Sequence, residues 1–380
     1  MGVAFQFPRE FVPQVVAVCA DLLSKAPGAY IPNTEELTTV LHAALWASIQ
    51  RDEDRGAVFS ISISPKDSSS RVLALKNPIE LSAESLLKFA VATIAEESAV
   101  HVGTEDGQLQ IFGVDTLLGT NSPVWIEVRG PAMLVVKAGR RSGSVAVIAG
   151  SVAALIDREY YRRYQFVSDE GQFGFDLQRD REHRITRVVQ SMVNYGHGGT
   201  ILLVPDETSV SSLPLDLLYP LDGAFPGLRR VDDGVKSSMS ALAIVGRSEQ
   251  ELREAHGEFH SMSLLRDRYA AAVAKTTSVD GATLLTHDGS LLGFGAKIRT
   301  SNKELFVQRT RPIVGEPTWT DAVGEFGGTR HQSAARFVAE APADAVWYAV
   351  VASQDGRLSI VSRDEQGGPI KCLEHAEWLF

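Results

Sequence analysis

A charge-dense stretch, DREYYRRYQFVSDEGQFGFDLQRDREHR at residues 157–184, constrains this chain more than any other feature. It shows neither helical nor strand periodicity, and Gly171 and Gly174 interrupt it, so it predicts a linker between two separately packed regions. The regions on either side differ in texture. From Gly56 onward, short runs such as AVFSISIS, RVLALKNPIEL, AVHVGTEDGQLQIFGV and PVWIEVRGPAMLVVKA are separated by turn residues, among them Glu105-Asp106-Gly107, Gly130-Pro131 and Ser142-Gly143. That rhythm predicts a β-rich domain over 55–156, an antiparallel sheet or a barrel-like form of one, with a helix from Ser82 to Ala95. Residues 1–54 read as a helical segment in which Asn33 is the N-cap, Glu36 closes a capping box, and Leu37, Val40, Leu41, Ala44 and Leu45 share one face.

Beyond the linker, Ile185, Val188, Val189, Met192 and Val193 recur at helical spacing and stop at Gly196-His197-Gly198-Gly199. GTILLVP follows, an apolar run of buried-strand length. A helix of mixed polarity, expected from Ser240 to Ala274, leads into DGATLL; VWYAVVAS and RLSIV are further strands, joined by Gln354-Asp355-Gly356-Arg357. Helices interleaved with buried strands predict an α/β domain over 185–370, so the whole chain falls in the mixed α/β class.

Composition narrows the partners. With 44% hydrophobic residues the chain can bury substantial cores, and a net charge of −10 leaves no excess of Lys and Arg to replace counterions on a phosphate backbone. Neither general nucleic-acid binding nor binding to an anionic membrane is expected. Cys19 and Cys372 stand far apart, without metal or disulfide spacing, which fits a reducing compartment and makes the cytoplasm the expected location. The run from Phe11 to Leu23 contains Pro13 and Asp21 and lacks a basic flank, so it reads as a packed helix rather than a signal peptide. No run has membrane-spanning length, and Gln6 occupies the place where a myristoylation signal has Ser or Thr.

Two short steps can carry chemistry. Asp280-Gly281 opens a strand: a carboxylate there can hold a divalent metal or take a proton from a hydroxyl, although an Asp-Gly turn before a strand has the same letters. Gly328-Thr329-Arg330-His331 leads into a helix carrying Ala334, Ala335 and Phe337. Amide groups at such a start, beside a guanidinium, make a phosphate pocket, and a basic helix start facing solvent reads identically. Other patterns fall short. Gly293-Phe294-Gly295 lacks the third glycine of a dinucleotide fingerprint, Ile298 standing in its place, and predicts a β bend. AHGEFH has Gly257 where a zinc helix needs Glu, so it predicts helix surface. HGGT at 197–200 resembles an esterase oxyanion loop, but the chain contains no G-x-S-x-G and a helix C-cap is expected.

DGA at 280–282 and GTRH at 328–331, in that order, with a helix into GGTILLVP before them and DAVWYAVVASQDGRLSIV after them, resemble the diadenylate cyclase (DAC) domain family over 185–365. The N-terminal half resembles the β-rich sensor-type modules that precede some DAC domains in bacteria. The resemblance implies a mixed sheet flanked by helices, ATP as substrate, Mg²⁺ or Mn²⁺ as cofactor, and cyclic di-AMP as product. It also implies a homo-oligomer with DAC domains face to face, and an unidentified ligand for the N-terminal domain. By position, Asp280 would serve the metal and the 3′-hydroxyl, and Gly281 and Ala282 would pass close to the nucleotide. Thr329, Arg330 and His331 would hold phosphates, Gly328 would contact the nucleotide, and Ile298 would meet adenine. Three departures stand out. Gln332 replaces the family's second Arg at the nucleotide, and Ala352-Ser353-Gln354-Asp355 replaces an acidic Ser-Glu-Glu step, leaving Asp355 as the second candidate metal ligand. The segment NKELFVQRTRPIVGEPTWTD lengthens the chain between the motifs. The expected function is a nucleotidyltransferase regulated by a sensor domain. The alternatives are a catalytically degenerate domain that binds a nucleotide as a sensor or dimerisation module, and an interaction scaffold that binds none.

Overall fold

The computed structural model describes Ala17, residues 30–154 and residues 184–379, with interruptions at 31, 53–54, 57, 67–70, 94–97, 117–123, 139–143, 149–150, 207, 226–230, 232, 236, 239, 241–248, 300–302, 314–317, 343–344, 355 and 364–367. The expected linker up to residue 183, all but Ala17 of the Phe11–Leu23 run, and Asp355 lie outside the described residues. The chain divides into two units, Met1–Asp157 and Arg158–Phe380.

In the first unit, α1 (Thr34–Ile49) starts where its capping residues dictate. Asn33 Oδ1 accepts from the Glu35 and Glu36 amides at 3.0 and 2.9 Å, while Glu36 Oε2 accepts from the Asn33 amide at 2.9 Å. Two short strands, β1 (Arg51–Asp52) and β2 (Arg55–Gly56), pair with each other. Then follow β3 (Phe59–Ile63), β4 (Arg71–Glu80), α2 (Ala83–Ala90), β5 (Ser98–Glu105) and β6 (Gln108–Thr116). The unit continues with β7 (Val124–Gly130), β8 (Met133–Ala138), β9 (Ser144–Ile148) and β10 (Ser151–Ala154). The larger sheet runs β10-β9-β8-β7-β3-β5-β6-β4, antiparallel except for the parallel β3–β5 pair, and it is open, with β10 and β4 at its edges. Asp106 and Gly107, at φ 52° and 77°, form the two-residue turn between β5 and β6, a geometry whose twist matches that of the strands it joins. Helix α2 is shorter than its sequence predicts. The amides of Ala92 and Thr93 fall back to the Phe89 and Ala90 carbonyls, and the Thr93 hydroxyl also donates to the Ala90 carbonyl, which closes the helix.

The helix expected as a segment of its own belongs to the sheet's core. Leu37, Val40, Leu41 and Leu45 of α1 cluster with Phe59, Ile61, Ile126, Val128 and other inward strand residues. Alternate strand residues turn the opposite way and mix polar groups such as Ser60, Ser62 and His101 with the apolar pair Ala99 and Trp125. Glu127, almost fully buried, is held by Arg129 at 2.6 Å and Lys137 at 2.6 Å. Burial raises the Glu127 carboxyl, but the two cations outweigh it and bring it down to about 2.

The second unit begins with α3 (Arg184–Asn194), whose Ile185, Val188, Val189 and Met192 are buried as their spacing predicts. Its elements are β11 (Gly199–Val204), β12 (Leu215–Phe225), α4 (Glu249–Thr276), β13 (Ala282–Thr286), β14 (Leu291–Ile298), β15 (Phe306–Thr310) and β16 (Trp319–Ala322). They are followed by α5 (Thr329–Ala339), β17 (Tyr348–Ala352), β18 (Leu358–Arg363) and β19 (Ile370–Glu374), so the sheet extends past residue 370. The strand order is β12-β14-β13-β11-β17-β18-β19-β15-β16, with β11–β13 and β15–β19 parallel. Ala334, Ala335, Phe337 and Val338 seat α5 on one face against Leu202, Leu284, Val351 and Val361. Their strand neighbours Ile201, Leu203, Leu285 and Val350 are also buried and point the other way. Helices α3 and α4 pack together, tied by an ion pair from Arg187 to Asp267 at 2.5 Å, and reach β17 and β14. The long segment between the two motifs forms β15 and β16, which add to the sheet at the edge opposite β12. No described helix is long and apolar enough to cross a membrane.

Candidate functional site

A cleft of about 730 Å³ opens over the sheet at the N-terminus of α5. Its volume lies within the roughly 300–1,000 Å³ of small-molecule sites. The cleft brings together most of the residues that the sequence singles out: Asp280, Gly281, Ala282 and Ile298 on one side, and Gly328, Thr329, Arg330 and His331 on the other.

The chain reaches Asp280 through the last turn of α4, closed by the Val279 amide bonding to the Thr276 carbonyl. Asp280 is exposed, and its carboxylate has no hydrogen-bond or ion-pair partner among the described residues. Gly281 is required next to it for two reasons. Its φ is +105°, and a Cβ there would stand 2.6 Å from the Gly295 carbonyl carbon and 2.9 Å from the Ala296 carbonyl oxygen. The glycine therefore lets the loop press on β14, which is the close approach its sequence position announces. Gly295, at φ +70°, lies where the pairing of β13 with β14 shifts register between Ala282 and Leu284, so the expected bend is a bulge that turns β14 past the cleft.

Opposite, α5 starts at Gly328, which makes no side-chain cap; the first amide to find an intrahelical carbonyl is that of Gln332, bonded to Gly328 at 3.1 Å. The amides of Thr329, Arg330 and His331 thus have no intrahelical acceptor, the arrangement that favours an anion. Arg330 is exposed and has no ion pair among the described residues. His331 is held firmly: its Nε2 lies 3.1 Å from Ser359 Oγ, and its ring stands edge-on to Phe326 at 5.5 Å. Gln332 does not join them. At roughly 100° per residue it falls on the side of α5 away from Ala334 and Phe337, and its amide donates to the Gly324 carbonyl at 3.0 Å.

Further wall comes from Thr200 and Ser333, which the sequence reading passed over, and from Ser353 and Gln354, which it singled out only as a departure from an acidic step. Ser333 follows Thr329 by one turn, a spacing that could have disclosed it. Thr200 and the β17–β18 turn could not be found that way, because only strand pairing brings them here. Gly198 is the least visible contributor. Its φ is +65°, and a Cβ on it would meet Arg330 Nη1 at 2.7 Å, the Ala352 carbonyl oxygen at 3.0 Å and the Gln354 amide nitrogen at 3.1 Å. The C-cap expected from the glycine cluster belongs to Gly196, whose amide bonds to the Val193 carbonyl at 3.0 Å. Gly198 instead makes room for the guanidinium. Lys297 also borders the cleft, but strand alternation directs its side chain to the other face, across from Asp216.

His256, Glu258 and His260 lie exposed along α4, as the helix-surface reading expects, and no group of three or more His, Cys, Asp or Glu among the described residues is arranged to hold a metal. Asp280 is the carboxylate the described cleft offers. A divalent ion held by one carboxylate and completed by substrate phosphates and water is compatible with that donor set.

Residues 26–116 match the family model described as probable sensor domain DACNV, a span that includes α1 through β6. A comparison with curated proteins finds no match.

Proposed function

We propose that the second unit is a diadenylate cyclase-like nucleotidyltransferase that joins two ATP molecules into cyclic di-AMP, and that the first unit regulates it in response to a ligand. The observation that carries this reading is the meeting, in one cleft, of the Asp280 carboxylate and the Arg330 guanidinium, neither with an ion-pair partner among the described residues, beside the amides at the start of α5. Neither motif does this alone, since each has a bland reading by itself. The sensor-domain match in the first unit supports the regulatory half of the proposal.

In this reading the α5 amides and Arg330 bind the triphosphate, and Gly281 and Ala282 let the nucleotide lie close to β13. Ile298 offers an aliphatic surface to the base. Asp280 accepts the proton of the 3′-hydroxyl as that oxygen attacks the α-phosphorus of the second ATP, and pyrophosphate leaves. Atoms balance, with two ATP giving one cyclic dinucleotide and two pyrophosphates. Mg²⁺ or Mn²⁺ bound at Asp280 would neutralise charge on the phosphates. Because one protomer contributes one nucleotide site, the reaction calls for a second copy facing the first.

A second reading, nucleotide binding without turnover, draws on Gln354, a carboxamide in the cleft wall, and on Gln332, which is turned away from it. Incubating the full chain with ATP and Mn²⁺ and resolving the products by mass separates the two. A cyclic dinucleotide formed by the parent, and lowered by on the order of 100-fold or more in Asp280→Asn, supports the enzyme. ATP binding with no product in any divalent ion supports the sensor, and absence of both leaves the scaffold.

A further inference from the structure

Gln354 is the second residue of a turn that begins at Ser353 and closes through bonds of its own. The Ser353 amide donates to the Arg357 carbonyl at 2.9 Å, the Gly356 amide to the Ser353 carbonyl at 3.1 Å, and the Arg357 amide to Ser353 Oγ at 3.2 Å. Gly356, at φ +83°, supplies the left-handed residue that closes it. The turn thus needs nothing from the cleft, and Gln354, exposed and lining the cleft, has no partner for its carboxamide among the described residues. The turn and the guanidinium meet at Gly198: the Gln354 amide nitrogen and Arg330 Nη1 both flank the point where its side chain would be.

We infer that the Gln354 side chain donates directly to the polyphosphate of the bound nucleotide, beside Arg330, and that this contact needs no divalent cation; the inference rests on the nucleotide reading above. A carboxamide brings two N–H donors and no charge, so it can approach phosphate oxygens without repulsion. A carboxylate at the same position could meet them only through a bound cation. With Asp280 across the cleft, a neutral residue at 354 also keeps the local charge favourable to an anion.

The test is ATP affinity of the full chain, measured by calorimetry in EDTA and again with Mn²⁺, for the parent, Gln354→Ala and Gln354→Glu, with Gln332→Ala as a control outside the cleft. Position 354 is exposed on a turn, so folding is preserved, and circular dichroism checks it. The inference expects Gln354→Ala to weaken ATP by about 3- to 10-fold in EDTA, the worth of one hydrogen bond, and adenosine not at all. Gln354→Glu weakens ATP by about 10-fold or more in EDTA and recovers with Mn²⁺, while Gln332→Ala binds as the parent does. Parental ATP affinity in Gln354→Ala overturns the contact whatever the Glu variant does, and an equal loss for adenosine overturns its assignment to phosphate. A parent chain that binds no ATP overturns the nucleotide reading itself.

Discussion

Gly198 shows how a single residue can serve the site without carrying any chemistry. An alanine there has to adopt a positive φ and displace either Arg330 Nη1 or the Ala352 carbonyl, and the guanidinium is the softer of the two. Gly198→Ala is therefore expected to cost about 1–3 kcal/mol of stability, read by urea unfolding, and to weaken ATP binding by about 10-fold, as Arg330 leaves its place. Unchanged ATP affinity in a destabilised variant would separate the glycine from the site and leave it a purely structural turn. The sequence shows why this role is hard to read. A glycine after a helix is explained fully by a C-cap, and nothing local announces an arginine so distant in the chain as its neighbour. Asp280 and Arg330 are legible because their flanking glycines mark a backbone that must come close to something, whereas Ser353 and Gln354 carry no such mark and become wall residues only when β17 pairs with β11.

Among the elements, α1 was legible from its cap, and the same residues fasten it to the sheet. Glu36 accepts from Thr104 of β5 through Oε1, and through Oε2 from the Tyr30 hydroxyl at 2.8 Å as well as from the Asn33 amide. Burial raises the Glu36 carboxyl, but the bonds from Thr104, Asn33 and Tyr30 outweigh it and hold the group below its ordinary 4.5. Tyr30 moves the other way, pushed up to about 12 by burial and by Glu36. A carboxyl whose folded pKa is depressed contributes stability that is fully present above its unfolded value and is lost as pH falls through the folded one. Glu36→Gln is thus expected to cost about 1–2 kcal/mol at neutral pH, with the gap between parent and variant closing as pH drops below 4.5. Thermal unfolding followed from pH 7 to pH 3 measures it, and a gap that stays constant across that range would refute the latch. Where the sequence misjudged an element, local chemistry explains the difference: α2 stops early because Thr93 takes over the Ala90 carbonyl. The segment between the two motifs, which the sequence left without an element, supplies β15 and β16 to an edge of the sheet.

At the scale of the molecule, each unit has its own hydrophobic core, and the two share no residue: Leu41 and Ile61 belong to one, Phe337 and Val351 to the other. Two periodicities in the sequence, short alternating runs before residue 157 and helices interleaved with buried strands after it, already imply two cores, because neither pattern can complete the other's layers. The consequence can be tested by perturbing each core on its own. Leu41 is fully buried, so Leu41→Ala removes a side chain worth about 2–5 kcal/mol from the first core. ATP at 100 times its dissociation constant stabilises whichever unit holds the cleft by about 2.7 kcal/mol. Calorimetry of the full chain is expected to show two transitions, one lowered by Leu41→Ala and the other raised by ATP. Regulation by the first unit requires more than this, because a sensor can act only through a free-energy coupling between the two cores. The same experiment detects that coupling as a shift of the ATP-dependent transition in the Leu41→Ala protein. Two transitions that each ignore the other's perturbation would mean that the first unit does not control the cleft through its folding stability, and would leave the regulatory half of the proposed function without its simplest physical route.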